Sequence, residues 1–129
     1  MPYLIGVALA LGVGVFATVV GLDRDRAFYP TVLIVIGSLY TLFAVMGGSL
    51  HALGAESIFA AAFVAASVAG LKRSLWIVVA GLAAHGVFDF FHAQLVANPG
   101  VPSFWPPFCL AYDGTAALFL GLLLRRRAP

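Results

Sequence analysis

The sequence predicts an all-α polytopic membrane helix bundle of five transmembrane helices, N-terminus out and C-terminus in, forming a single transmembrane domain over residues 1–129. Three observations predict it. The chain is 63% hydrophobic and 9% charged, whereas a soluble domain is about half apolar and a quarter charged. Apolar runs of about 20 residues, the length that crosses a ~30 Å hydrocarbon core, recur along it. Finally, the basic residues fall only at places that a five-span chain brings to one side.

The first span covers residues 3–22. Its leading Met1 and Pro2 carry no positive side chain, and Arg24 and Arg26 follow the apolar run, which fits an N-out helix and not a cleaved signal. The second span covers 27–47 and the third 50–71, with only a tight connection around Gly48 and Ser49 between them. Lys72 and Arg73 precede the fourth span, 74–96. The fifth, 104–124, runs into Arg125, Arg126 and Arg127. Every Lys and Arg therefore lies in the first and third connections or after the last span, and the positive-inside rule makes that side cytoplasmic. A multi-pass protein of a bacterial inner membrane is the expected localisation.

Asn98, Pro99, Gly100, Pro102, Pro106 and Pro107 break the stretch before the fifth span. Proline fixes φ and donates no backbone hydrogen bond, so a stiff non-helical cap is expected, with Phe104, Trp105 and Phe108 at the outer headgroup level and Trp76 at the inner one. A loop with an aromatic belt is the first reading, and a lid over a site beneath it the alternative. Small residues repeat every four positions on the third span, at Ala62, Ala66 and Gly70 and at Ala61, Ala65 and Ala69. These, with Gly6, Gly12, Gly14, Gly114 and Gly121, are expected at close helix contacts. Asp23 and Asp25 alternate with Arg24 and Arg26 in what reads as a solvated charge cluster. The net charge of +2 gives no nucleic-acid signal, and Cys109, the single cysteine, excludes an internal disulfide.

Three carboxylates fall inside the spans: Glu56, Asp89 and Asp113. Each would cost about 2.5–3.5 kcal/mol at the centre of an inserted helix, so compensation is expected. At ~1.5 Å per residue all three sit about 9–14 Å below the outer edge, on three different helices, which points to one shared site. On the fourth span His85, Asp89 and His92 follow i, i+4, i+7 spacing and share one face. Gly81 extends that face and would admit a neighbouring helix beside His85. Cys109 and Asp113 share a face of the fifth, although a small buried residue is the default role of Cys109. Tyr40 and Ser38 could supply hydroxyls at this depth, and His51 lies slightly above Glu56. No lysine or arginine reaches this level. What can answer the acids is a proton, an imidazolium, or a bound cation, and imidazole with carboxylate is a donor set for zinc, iron or manganese.

The run His85-Gly86-Val87-Phe88-Asp89-Phe90-Phe91-His92, then Asn98-Pro99, Cys109 and Asp113, resembles a family of small bacterial integral membrane proteins of unassigned activity. Its marks are an H-x-x-x-D-x-x-H run, an Asn-Pro loop and a C-x-x-x-D pair. The resemblance covers residues 76–124. It departs at Ala93, where a second adjacent His is common, and at Tyr112, where a second Cys is common. It supports the site residues and implies no reaction.

The leading functional expectation is an intramembrane metal site with hydrolase-type chemistry on a lipid or amide. His85, Asp89, His92 and Asp113 are the expected ligands of a divalent transition metal, zinc or iron. Glu56 and Asp89 are the expected catalytic carboxylates, Glu56 as a ligand or general base. No HExxH motif and no serine or cysteine nucleophile with a convincing base is present. One alternative is a proton- or cation-coupled transporter or channel component, for which five helices would require a homo-oligomer. Another is a non-catalytic membrane assembly subunit. The bilayer is the expected surrounding, with a lipid or small molecule as substrate.

Overall fold

The computed structural model describes residues 1–127. Within them lie five helices, each long and apolar enough to cross a membrane. They are α1 (Pro2–Val20), α2 (Phe28–Met46), α3 (Leu50–Lys72), α4 (Leu75–Leu95) and α5 (Trp105–Arg127). No strand occurs among the described residues.

Local chemistry sets the helix ends. Gly21 closes α1 in the left-handed region, at φ 87°, with its N–H on the Ala17 carbonyl. That geometry suits glycine, and α1 therefore stops before the expected end at residue 22. One 3-10 turn, Leu22–Arg24, follows. Ser49 caps α3 by accepting from the Ala52 N–H, and Ser74 caps α4 by accepting from the Trp76 N–H. These hydroxyls satisfy amide donors that no helical carbonyl can reach. At the other extreme, α5 continues through Arg125, Arg126 and Arg127. Cations in a last turn oppose the negative end of the helix dipole, which favours that extension.

In space α1 packs on α5, α5 on α4, and α4 against both α3 and α2, which also pack on each other. The central helix α4 buries Val78, Gly81, Leu82, His85, Gly86, Phe88, Asp89 and His92. The basic connections meet at one end of the bundle: Arg26 donates to the Leu71 and Gly70 carbonyls, and Arg127 pairs with Asp23. Asp23 is therefore not part of a solvated cluster. It is buried, and Thr18 Oγ1 also donates to it, at 2.6 Å.

Close helix approach falls partly where the small residues predict it. Gly6, Ala10, Gly14 and Ala17 form the buried stripe of α1. A Cβ at Gly6 would stand 2.4 Å from the Phe108 carbonyl oxygen of α5, and one at Gly14 about 2.9 Å from the Phe119 ring. Gly12 and Gly114, by contrast, face open space. On α3 the expected alanine faces are largely turned out: Ala61, Ala62 and Ala65 are exposed, while Glu56, Phe63, Ser67 and Gly70 point inward. The reason is angular. Positions 56, 63, 67 and 70 share one stripe, and burying a carboxylate there rotates the alanines toward lipid.

Candidate metal centre

Six polar side chains converge in the half of the bundle away from the basic end, carried by α3, α4 and α5. Glu56 and Asp89 are 1% exposed, His92 and Cys109 3%, and His85 and Asp113 0%. The three intramembrane acids and the α4 histidines that the sequence singles out are thus all buried. They separate into two groups.

The inner group joins α4 to α5. His85 Nδ1 lies 2.6 Å from Asp113 Oδ2 and 3.4 Å from Asp89 Oδ2. Cys109 Sγ lies 3.5 Å from the same Asp113 oxygen. Gly86 faces α5 here, where a Cβ on it would stand at ordinary contact distance, 3.4 Å from Leu110 and 3.7 Å from the Asp113 Cβ. His85, Asp89, Cys109 and Asp113 offer donor atoms that all lie within 4.8 Å of one another, so this buried group could hold a metal ion. Donors around a tetrahedral ion with bonds of ~2.0–2.3 Å stand about 3.3–3.8 Å apart, so the shifts required are small. Two buried atoms of the group, His85 Nε2 and Asp89 Oδ2, have no hydrogen-bond partner. Asp89 also borders a small opening formed with Tyr3, Phe90, Pro106, Pro107 and Leu110.

The outer group joins α3 to α4 and to the loop before α5. His92 Nε2 lies 2.6 Å from Glu56 Oε2. Asn98 donates from Nδ2 to the same oxygen at 2.8 Å and to the Tyr40 carbonyl at 3.0 Å. The loop gets this close because Gly100 rests on α2, where a Cβ would fall 1.7 Å from the Phe43 carbonyl oxygen. The Pro-rich stretch is therefore a cap attached to the buried polar layer. His92, an expected ligand, and Glu56, an expected base, face each other here and not the inner group.

Tyr40 of α2 stands between the two groups. Its hydroxyl donates to Asp89 Oδ1 at 2.7 Å, and its ring stacks on His92 with centroids 3.8 Å apart and planes 9° from parallel. Ser38 turns back to the Val35 carbonyl and His51 is exposed, so neither joins. Two participants were weakly marked in sequence. Cys109 was marked by sharing a helix face with Asp113 and by the C-x-x-x-D pair of the resemblance, and Asn98 only by its place in a breaker-rich loop and by the Asn-Pro of that resemblance.

No protein-family model, curated protein or solved structure matches this chain.

Proposed function

We propose that this is an integral membrane metalloprotein whose ion binds between α4 and α5, held by His85, Asp89, Cys109 and Asp113. The observation that carries the reading is the four-donor group itself, buried and within 4.8 Å. Charge supports it. The outer group pairs one carboxylate with one imidazole, whereas the inner group gathers two carboxylates around a single imidazole. The deficit of positive charge lies where the donors converge, and no lysine or arginine pairs with it. Thiolate, imidazole and carboxylate together suit zinc, or iron, better than the all-oxygen cations. The half of the bundle that holds the site is the non-cytoplasmic one in this reading, because all seven Lys and Arg lie at or beyond the opposite helix ends.

Hydrolysis is a second reading, favoured by the opening beside Asp89. Four protein ligands close a tetrahedral site, and three leave a position for water. With His85, Cys109 and Asp113 holding the metal, Asp89 would be the carboxylate placed to take a proton from that water. A lipid ester or amide arriving from the bilayer would be the substrate class.

Metal content after zinc loading and desalting, measured by mass spectrometry, tests both readings. Near one zinc per chain is expected in the wild type, with a fall far below one in His85→Ala and Cys109→Ser. Substoichiometric zinc in the wild type would remove the proposal. Asp89→Asn separates the readings: metal lost with the substitution makes Asp89 a ligand, and metal retained with loss of ester or amide hydrolysis makes it the base.

A further inference from the structure

The outer group contains two residues of metal-binding type, yet it lacks what a second metal site needs. Only Glu56 and His92 offer such donors there; Glu56 Oε2 is engaged by His92 and Asn98, and although Glu56 Oε1 has no partner, two residues fall short of the three or four protein ligands such a site uses. Phe88 packs on both His85 and His92 but offers no polar atom, and the polar side chain that touches both groups is Tyr40. Tyr40 donates to Asp89 Oδ1, which leaves Oδ2 as the oxygen near His85. An unrestrained carboxylate can present either oxygen or both to a cation; one that accepts a hydrogen bond on Oδ1 presents Oδ2.

Tyr40 is itself fixed from two directions. His92 covers the ring face, and Glu56 holds His92 in that orientation. Asn98 binds both Glu56 and the Tyr40 carbonyl. The succession from loop to site is therefore Asn98, Glu56, His92, Tyr40 and Asp89, every member after Asn98 being at most 3% exposed. Partners of this kind set ligand orientation in metal sites, and their loss typically lowers metal affinity about 10–100-fold.

We propose that Tyr40 is the positioning residue of the inner metal group, selecting the Asp89 oxygen that faces the ion, and that Glu56, His92 and Asn98 act on the site through Tyr40 and not as ligands. This rests on the metal reading above. It gives the outer histidine and carboxylate a function that direct ligation does not.

Cobalt(II) is the probe, because a thiolate ligand gives a charge-transfer band while the ligand-field bands respond to the remaining donors. Tyr40→Phe keeps the ring and its stacking and removes only the hydroxyl. Its helical circular dichroism is expected to match the wild type, with cobalt affinity reduced about 10–100-fold. The thiolate band should persist and the ligand-field bands shift, a change that mere loss of stability would not produce. Glu56→Gln should weaken cobalt binding by itself and add nothing in the Tyr40→Phe background. Wild-type affinity and unchanged ligand-field bands in Tyr40→Phe would overturn the inference, as would a Glu56→Gln loss that persists in full beside Tyr40→Phe. If Tyr40→Phe does not fold, Glu56→Gln alone decides, and wild-type affinity in it overturns the proposal. A wild type that binds no cobalt would instead remove the metal reading, and this one with it.

Discussion

At the basic end of the bundle, burial of the Asp23 carboxyl works to raise its pKa. Hydrogen bonds from Thr18 and Arg127 and the charges of Arg127 and Arg24 outweigh that, leaving it below the ordinary aspartate value of 3.8. A depressed folded-state pKa stabilises above the unfolded value, and the contribution disappears as pH falls through the folded one. Asp23→Asn is therefore expected to lower the melting temperature in detergent near neutrality and to converge with the wild type in strong acid. The effect should stay below about 1 kcal/mol, since the Arg127 side chain is 42% exposed and its charge is screened. A gap that widens toward low pH would contradict this. Asp23 also shows what residue-level reading misses. Alternating charges in a short connection look solvated, and only the folding of α5 back beside α1 brings Arg127 to bury one of them. Glu56, Asp89 and Asp113 were legible for the opposite reason: a carboxylate inside an apolar span has so few tolerable environments that burial among partners follows from cost alone.

Between helices, backbone approach decides which glycines matter. A methyl group at Gly6 meets the backbone of α5 at 2.4 Å, and backbone cannot swing aside as a side chain can. Gly6→Ala should cost about 1–3 kcal/mol by forcing α1 and α5 apart. Gly12→Ala, on the same helix with nothing within 4 Å, should be neutral or up to about 1 kcal/mol stabilising from reduced backbone entropy. Thermal unfolding of the two variants in the same detergent checks the pair, and equal effects would argue against the α1–α5 contact. Both glycines look alike in the sequence, because hydropathy fixes where a helix lies and leaves its rotation about its axis undetermined. The same freedom separates His92 from His85. They share a face of α4, but α5 supplies partners at the level of His85 and α3 at the level of His92. The path of the loop was illegible too: its prolines predict a stiff non-helical segment, and only the contact of Gly100 with Phe43 brings Asn98 down to Glu56.

For the whole molecule, the number of spans and the gathering of the basic connections at one end follow from length, hydropathy and charge placement, quantities that read off one dimension. Which end faces the cytoplasm is a further step, made by the positive-inside rule. The two ends of α3 test it directly. His51 and Arg73 are both exposed and lie 22 positions apart, about 33 Å along the helix, so a spanning α3 would set them at opposite faces of the bilayer. Cys109 is buried, at 3% exposure, and should give a membrane-impermeant maleimide little background. In intact cells, His51→Cys is expected to label and Arg73→Cys to label only after permeabilisation. The opposite pattern would place the basic end outside and set the candidate metal group in the cytoplasmic half. Labelling of both in intact cells would mean that α3 does not span, and the burial of Glu56 against α4 would then need a different explanation. The site geometry depends on the bundle alone, but the side from which an ion would reach the proposed site depends on this orientation. The labelling result therefore decides which side of the membrane is nearer to the half of the bundle that holds the opening beside Asp89.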